Sequence, residues 1–256
     1  MKDGVKIVTY NLRCVWNTVD GINNFIHRAG MIYDKINEEK PDIIGFQEAI
    51  DKHRDFLIKV FPEYQLVGHL RGEDYEGEGC FVAVRKDTFE LLGYETFWMS
   101  PTPYVPGSRY ENQSTCPRIC VVVKVRHKKT NKILRLFDLH LDHVSNEARE
   151  NGMKCVFDYV KKFNETDKQP LVILGDFNAQ PDSGVMQMCN EFPGITEVTK
   201  DITFTFHAFG IKESKIDYIY MSDDLAKNVK SVSTWDDEDN GIYLSDHYPV
   251  CAELEF

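Results

Sequence analysis

The sequence has no apolar run approaching about 18 residues, the length needed to cross a bilayer, so no transmembrane helix is expected. It also has no internal repeat, no low-complexity tract and no Pro- or Ser-rich linker. Its first residues run directly into a strand-like segment without a hydrophobic signal region, although a signal removed before residue 1 would leave no trace. We therefore expect a single domain over residues 1–256 without membrane association.

Basic residues are scarce relative to acidic ones. Thirty Lys and Arg face 41 Asp and Glu, which gives a net charge of -11. Non-specific binding of nucleic acid depends mostly on cationic neutralisation of the phosphate backbone, so a broad nucleic-acid surface is not expected. A small local phosphate site stays compatible with this balance, and the surplus of carboxylates suits a hard divalent cation.

The seven cysteines are odd in number and form no CxxC pair. Most lie inside apolar segments, which predicts buried thiols and not a disulfide framework or a cysteine metal site. This use of cysteine fits a reducing compartment, and we expect a cytoplasmic protein.

Short β-type segments dominate the chain, with a few helical patterns between them. The predicted strands are Val5–Tyr10, Ile43–Phe46, Tyr64–Val67, Cys80–Val84, Phe89–Phe97, Ile119–Val125, Ile133–His140, Leu171–Leu174, Ile216–Met221, Val229–Thr234 and Tyr248–Leu254. The predicted helices are Gly21–Glu39, Asp51–Val60, Asn146–Asn164 and Ser183–Cys189. Many strands, a few long helices and no linker predict an α+β fold with two mixed sheets covered by helices.

The first predicted helix begins after Asp20, which is a suitable N-cap. One apolar face is expected to pack inward, and it consists of Ile22, Phe25, Ile26, Ala29, Ile32, Tyr33 and Ile36. Two segments, Arg71–Gly79 and Thr102–Pro117, are polar or rich in Gly and Pro, and we expect them to be loops. Such loops on a rigid scaffold often carry substrate contacts.

Several apolar strands end in acidic, amide or histidine side chains. These residues are Asn11, Glu48, His140, Asp142, Asp176, Asn178, Asp217, Asp246 and His247. One polar residue at a strand end is ordinary turn chemistry. Six such strand ends that meet at one sheet edge would instead form a cluster of oxygen ligands and acid–base groups. That inventory suits Mg²⁺-assisted cleavage of a phosphate ester.

The ordered segments TYN, QE, LHLDH, GDFNA, KIDYIY and SDHYPV resemble the endonuclease/exonuclease/phosphatase superfamily, which has the deoxyribonuclease I-like fold. The resemblance runs from Tyr10 to Val250. Further segments, FWMSPTP, PGSR, PRI and TFH, are similar to a compact bacterial branch close to the deadenylases. The resemblance implies a four-layer α/β/β/α sandwich of two mixed sheets and a Mg²⁺-dependent phosphoester hydrolase, with Mn²⁺ as a substitute.

The resemblance also implies a metal site and a histidine–aspartate pair. Glu48 matches the principal metal-binding glutamate, Asn11 the amide beside the metal, and Asp246 a second acidic position near it. His247 matches the general base or electrostatic histidine, and Asp217 the carboxylate that orients it.

The remaining matched positions concern the phosphate and the attacking water. His140 is expected to contact the phosphate or protonate the leaving group, and Glu78 to orient His140. Asp176 is expected to position or deprotonate the water, and Asn178 to hold a phosphate oxygen. The sequence leaves open whether His247 or Asp176 is the general base.

Three further residues are candidates from their context alone. Arg118 is interpreted either as a fork that binds the substrate phosphate or as a structural salt-bridge partner. His207 and Trp98 are pocket candidates, and packing in the core is the alternative for Trp98.

These positions predict in-line attack of water on phosphorus, without a covalent intermediate. A small or short single-stranded substrate is favoured over duplex nucleic acid, because Asp236–Asp239 would repel a polyanion. The alternatives are a metal-dependent DNA or RNA nuclease and a non-catalytic binding module, and the complete set of matched residues argues against the module. No obligate protein partner is implied.

Overall fold

The structure, a computed structural model, describes residues 4–14 and 18–256. The strands are β1 (Gly4–Asn11), β2 (Ile43–Ala49), β3 (Tyr64–Leu70), β4 (Gly79–Arg85), β5 (Phe89–Trp98), β6 (Ile119–His127), β7 (Ile133–His140), β8 (Leu171–Asp176), β9 (Ile195–Glu197), β10 (Asp217–Ser222), β11 (Val229–Thr234), β12 (Glu238–Asp239), β13 (Ile242–Tyr243) and β14 (Val250–Glu255). The helices are α1 (Phe25–Glu39), α2 (Asp51–Val60), α3 (Asn146–Thr166), α4 (Gly184–Glu191) and α5 (Asp223–Ala226), and a 3₁₀ segment covers Thr18–Asn23.

Two six-stranded sheets form the centre of the molecule. The first has the order β11-β14-β1-β2-β4-β3, and the second has the order β5-β6-β7-β8-β10-β9. Each contains one parallel pair, β1 with β2 and β7 with β8, among antiparallel neighbours. The prediction of two mixed sheets is therefore confirmed.

Three apolar layers hold the sheets and helices together. Between the sheets lie branched side chains that alternate along the strands, such as Ile7, Val82, Val123 and Leu136. The outer face of the first sheet packs against α1 and α2, and that of the second sheet against α3 and α4. This arrangement is the predicted four-layer α/β/β/α sandwich.

Helix α1 begins later than the sequence pattern indicates. Gly21 has a φ of 54° and interrupts the helical backbone, and the helix starts after Asn24, whose side chain accepts the Ile26 amide. The prediction that Asp20 caps a helix starting at Gly21 is therefore wrong. The predicted apolar face is only partly buried, because Ile26 is 76% exposed, and Ile22 and Tyr33 are exposed as well.

The buried face of α1 instead contains a charged side chain, Arg28, which is fully buried. Its guanidinium donates to four backbone carbonyls, those of Leu12, Arg13, Asn23 and Leu244, at 2.7–3.3 Å. A buried cation is tolerated only when its donors are paired in this way. Arg28 thus joins α1 to the segments that follow β1 and β13.

The polar strand ends predicted from the sequence meet on one side of the sandwich. In the first sheet Asn11 pairs with Gln47, and Gly79 pairs with both Ala49 and Leu70. The second sheet places its own strand ends beside one another through the pairs Trp98–Ile119, Cys120–Leu139, His140–Asp176 and Asp176–Asp217. We call this side, where these ends of both sheets lie, the polar edge.

The cysteines behave as expected from their apolar surroundings. Within residues 4–14 and 18–256 none forms a disulfide, and Cys80, Cys120 and Cys189 are buried. No helix in the same part of the chain is long and apolar enough to cross a membrane.

Candidate functional site

Two overlapping groups of acidic and histidine side chains lie at the polar edge. Glu48, His140 and Asp176 form one group, and Asp176, Asp217 and His247 form the other. Within each group one ligand atom per residue lies within 4.8 Å of the others. Asp176 belongs to both groups, so the site is continuous from β2 across β8 to β10.

Glu48 lies in β2 with a left-handed φ of 56°. Its Oε2 accepts the Cys14 amide at 2.9 Å, and its Oε1 accepts the Asn11 amide nitrogen at 3.2 Å. Burial alone would raise the pKa of this carboxyl, but the Cys14 hydrogen bond and the His247 charge lower it below its usual value. Glu48 is therefore held as a carboxylate.

Asn11 connects the two sheets. Its Nδ2 also donates to Asp176 Oδ2 at 3.0 Å, while its Oδ1 accepts the Arg13 amide at 2.9 Å. With its Oδ1 occupied by the backbone, Asn11 fixes the spacing of Glu48 and Asp176 through its amide nitrogen.

Asp176 follows a glycine that the local geometry requires. Gly175 has a φ of 144°, and a Cβ at this position would lie 1.9 Å from the Leu139 carbonyl oxygen. This close approach of β8 to β7 places Asp176 Oδ2 3.4 Å from His140 Nε2. Burial and the Asp217 charge raise the pKa of Asp176 to about 7.

His247 and Asp217 form a directly hydrogen-bonded pair. His247 Nδ1 lies 2.8 Å from Asp217 Oδ2, and its Nε2 faces Asp176 Oδ2 at 3.8 Å. Burial would lower the pKa of His247, but Asp217, Asp176 and Asp246 outweigh this and raise it to about 10. In the metal-free protein the ring is therefore an imidazolium.

His140 has the opposite electrostatic environment. Burial, followed by the charges of Arg118 and Arg71, lowers its pKa well below the usual value. Its Nε2 lies 2.9 Å from the amide nitrogen of Asn178, which also donates to the Leu141 carbonyl. The two histidines of the site thus carry different charges at neutral pH.

Asp246 lies beside the cluster, and its contacts are mainly with Arg13, His207 and Ala208. Its Oδ2 is 3.6 Å from Arg13 Nε, and its backbone oxygen accepts the amides of His207 and Ala208. Burial raises its pKa, the His247 charge lowers it, and the nearby Glu48 carboxylate raises it again. Its predicted role as a metal ligand stays a prediction.

Glu78 and Arg118 have partners that the sequence did not indicate. Glu78 Oε2 forms an ion pair with Arg71 Nη2 at 2.6 Å. Arg118 Nη2 lies 2.8 Å from His143 Nδ1, and its Nε is 3.8 Å from Asp142. The proposed orientation of His140 by Glu78 stays a prediction.

Sequence reasoning missed Thr205 entirely. This fully buried residue donates its hydroxyl to Asp217 Oδ2 at 2.6 Å and accepts the Asp217 amide at 3.1 Å. The TFH segment was noted as a similarity, and it contains this residue. Of the pocket candidates, Trp98 is 3% exposed and donates to the Arg71 carbonyl. His207 is buried and stacks on Tyr248, with 4.1 Å between the ring centroids.

The donor set fits a hard divalent cation. Carboxylate oxygens from Glu48 and Asp176 lie within 4.8 Å of one another, close enough to contact one cation, and His140 adds a neutral imidazole. Burial, and then the like charge of Asp217, raise the pKa of Asp176, and a bound cation would relieve both effects.

Comparison with known proteins now adds to this geometry. A family model described as the Endonuclease/Exonuclease/phosphatase family matches residues 8–247. The chain belongs to this family. The sequence-based resemblance is therefore confirmed, and so is the predicted class of phosphoester hydrolase at the level of the family.

Solved structures of family members cover nearly the whole chain. A family protein from Bacteroides vulgatus is 30% identical, with a TM-score of 0.90 and 100% coverage of both chains. A mannosyl-6-phosphatase from Bacteroides thetaiotaomicron is 26% identical, with a TM-score of 0.88, 98% coverage of this chain and 100% of that one.

One curated relative is a nuclease. The CCR4-Not complex 3'-5'-exoribonuclease subunit Ccr4 of Kluyveromyces lactis is 26% identical over 239 residues. The match covers 79% of this chain but only 30% of that protein, so the chain spans less than a third of the relative's length.

Proposed function

We propose that the chain is a Mg²⁺-dependent hydrolase that cleaves phosphoesters of small or short single-stranded molecules by attack of water. The observation that carries this proposal is the meeting of the Glu48–His140–Asp176 group with the Asp217–His247 pair at one buried edge. The cytoplasm is part of the proposal, and the buried reduced thiols support it.

Glu48 would hold the metal, with Asn11 and Asp246 beside it. When bound, the cation would supply charge stabilisation for the phosphate oxygens as negative charge develops on them. The protein contributes by keeping Glu48 ionised through the Cys14 amide and by fixing Asp176 through Asn11. Mn²⁺ would substitute, because it takes the same oxygen ligands.

The proton of the attacking water is assigned to the Asp176–His247 pair as a unit. Their facing atoms are 3.8 Å apart, and each group shifts the pKa of the other, so the pair titrates together. Asp217 holds the orientation of His247. As the water oxygen bonds to phosphorus, the ester P–O bond breaks; the Asp176–His247 pair keeps the proton of the water, and the leaving oxygen takes up a proton from solvent.

The opposite side of the phosphate would face His140 and Asn178. Asn178 is fixed by its backbone amide, which donates to Asp176 Oδ1 at 2.8 Å. The Asn178 amide donors, which bond to His140 and the Leu141 carbonyl in this structure, would turn to the phosphate oxygens when substrate binds and stabilise the charge that develops there. These are the roles that the sequence resemblance implies, and they stay proposals.

The test is hydrolysis of bis(p-nitrophenyl) phosphate by purified protein with Mg²⁺, Mn²⁺ or EDTA. We expect metal-dependent release of p-nitrophenol, and about a 100-fold or larger loss of kcat in Glu48→Gln and in His247→Gln. Glu90→Gln and His127→Gln are matched controls, because both residues lie where β5 and β6 pair at the opposite end from the polar edge. Activity that persists in EDTA, or none on any phosphoester, would overturn the proposal.

A nuclease is the second candidate, and the similarity to an exoribonuclease favours it. Single-stranded RNA, plasmid DNA and sugar phosphates compared at equal concentrations of phosphoester separate the two candidates. Sugar phosphates as the best substrates would support a small-molecule phosphatase. A preference for RNA that Glu48→Gln abolishes would support the nuclease.

A further inference from the structure

The order of the strands arranges the polar edge as a row. Along the second sheet, β10 contributes Asp217, β8 Asp176 and β7 His140, and the next position is Arg118, immediately before β6. In the first sheet, Arg71 directly follows β3, so it also lies at the polar edge. A substrate that lies along the edge from the catalytic pair therefore passes His140 and reaches Arg118.

Arg118 is a buried cation with incomplete hydrogen bonding. The residue is 4% exposed. Among the residues that the structure describes, neither its Nε nor its Nη1 has a hydrogen-bond acceptor. Since burial of unpaired donors is costly, the usual explanation is a ligand that supplies the acceptors. Burial, and then the nearby Arg71 charge, lower the pKa of Arg118, and the charges of Asp142, Glu78 and Cys116 offset only part of this.

Asp142 attracts Arg118 but accepts none of its hydrogen bonds. Its Oδ1 accepts the amides of Val144 and Ser145 at 3.0 and 2.8 Å, and its Oδ2 accepts the Ser114 hydroxyl. The nearest atom of Arg118 is 3.8 Å away, beyond hydrogen-bond distance. The hydrogen bonds of this carboxylate are thus committed to the loop, and its ion pair with Arg118 at 3.8 Å leaves the Nε and Nη1 of Arg118 without an acceptor in the part of the chain that the structure describes.

Two neighbours of Arg118, His143 and Arg71, determine which ligand it would bind. Because a guanidinium only donates, His143 Nδ1 accepts from Nη2, which leaves the Nε2 of this exposed imidazole as a further donor. Arg71 lies close enough to lower the pKa of both Arg118 and His140, and it is paired with Glu78.

We propose that Arg118 and His143 form a second anion subsite, which binds a phosphate or carboxylate group of the substrate other than the phosphate being hydrolysed. The inference rests on the proposed function, and it makes the substrate class a phosphoester with a second anionic group.

The subsite is separate from the reacting phosphorus. Adjacent strands are roughly 4.8 Å apart, so Asp176 on β8 and Arg118 at β6 start from positions about 10 Å apart. A linker of several atoms between the two anionic groups spans this separation.

The experiment compares two chromogenic phosphodiesters that share the reacting group. Both are p-nitrophenyl phosphodiesters of 1,4-butanediol, and only one carries a phosphate on the far hydroxyl. We expect wild type to favour the phosphorylated diester by about 10- to 100-fold in kcat/KM, the effect of a charge-assisted hydrogen-bond pair. Arg118→Gln should bring this ratio close to 1, and Arg118→Lys should leave an intermediate ratio.

A matched control is Arg135→Gln, another buried arginine of the second sheet, whose partner is Asp167 at the opposite end. This variant should keep the wild-type ratio. The inference is wrong if wild type does not distinguish the two diesters. It is also wrong if Arg118→Gln lowers kcat/KM for both by one factor, because Arg118 would then hold the reacting phosphate or only the fold.

Titration with inorganic phosphate in EDTA tests the subsite without catalysis. Calorimetry should show binding to wild type and to Glu48→Gln, and a Kd at least about 10-fold weaker in Arg118→Gln. If neither diester is hydrolysed, the proposed function fails while this titration still decides the subsite. Equal phosphate affinities in wild type and Arg118→Gln, with both folded by thermal unfolding, would overturn the inference.

Discussion

At the scale of single residues, the hydroxyl of Thr205 helps to hold the Asp217 carboxylate that orients His247. Thr205 is fully buried and donates to the same Oδ2 atom of Asp217 that binds His247. We expect Thr205→Val to lower kcat by about 10-fold, because a buried carboxylate loses a donor worth about 1.5 kcal/mol and its orientation of His247 loosens. The measurement is kcat for bis(p-nitrophenyl) phosphate with saturating metal.

Thr205→Ser is the control, because it keeps the hydroxyl and removes only a methyl group. We expect it to retain most of the wild-type kcat, whereas a packing role alone would make valine, which keeps the shape of threonine, harmless and serine the harmful variant. A full wild-type kcat in Thr205→Val would contradict the role of this hydroxyl.

The charged and amide residues of the site were predictable, as was the pairing of Asp217 with His247, but their other partners were not. Glu48 and Asp176 stand out because each ends an apolar strand segment, and His247 because it lies in the SDHYPV segment that leads into the last strand. Thr205 resembles any loop threonine, and the pairing of Glu78 with Arg71 depends on how β3 and β4 return to the polar edge. Such contacts are set by tertiary structure, which a single sequence does not display.

At the scale of secondary-structure elements, strands were easier to predict than the start of α1. Strand segments are apolar on both faces because each sheet is buried between a helical layer and the other sheet. The α1 pattern misled because a 3.6-residue period assigns Arg28 to solvent, whereas its carbonyl partners lie as far away as Leu244. The positive φ of Gly21 is likewise invisible in a hydrophobicity pattern.

The attachment of α1 gives a stability prediction. Arg28→Leu removes a guanidinium that serves four backbone carbonyls, and these would be left buried without donors. We expect the free energy of unfolding to fall by about 3 kcal/mol, measured by urea denaturation. Arg54→Leu on α2 is the control, because its ion pairs are exposed and should contribute less than about 1 kcal/mol. Equal effects of the two substitutions would contradict this account.

The contact between β2 and β7 gives a pH prediction. Asp138 is fully buried and accepts the Gln47 side-chain amide at 2.6 Å. Burial raises its pKa well above the usual value, although Gln47 opposes this, so the native state keeps the proton that the unfolded chain releases above about pH 4. The free energy of unfolding of wild type should therefore fall, relative to Asp138→Asn, as pH rises from 4 to 7.

The slope of that difference should approach 1.4 kcal/mol per pH unit, measured by urea denaturation in EDTA. Asp167→Asn provides the contrast. The Lys124 hydrogen bond, with Gln169, lowers the pKa of Asp167 to about 2, so its stabilisation is present above about pH 4 and lost only as pH falls toward 2. Its difference from wild type should be constant between pH 4 and 7. A flat difference for Asp138→Asn would show that Asp138 is ionised in the native state.

At the scale of the whole molecule, the pairing of two mixed sheets follows from the many apolar strands, and the polar edge follows from where they end. The register that aligns His140 with Asp176 and Asp217 comes from parallel and antiparallel neighbours that are distant in sequence. The extent of the domain, residues 1–256, stays a prediction, and the family model accounts for residues 8–247.

The net charge of -11 leads to a prediction about nucleic acids. Glu238 and Asp239 are exposed on the hairpin that leads to Asp246, so they add negative charge beside the site. We expect wild type to cleave short single-stranded RNA or small phosphoesters faster than plasmid DNA.

Reversal of both charges, in the double variant Glu238→Lys, Asp239→Lys, should tighten plasmid binding and steepen its salt dependence by about 0.9 in logarithmic slope for each added phosphate contact. Filter binding across a KCl series measures the salt dependence, and plasmid nicking measures cleavage. The control is the double variant Lys227→Glu, Lys230→Glu, which reverses the charge of two exposed lysines in the opposite direction. Plasmid nicking by wild type that matches its RNA cleavage and disappears in Glu48→Gln would show that local contacts override the overall charge.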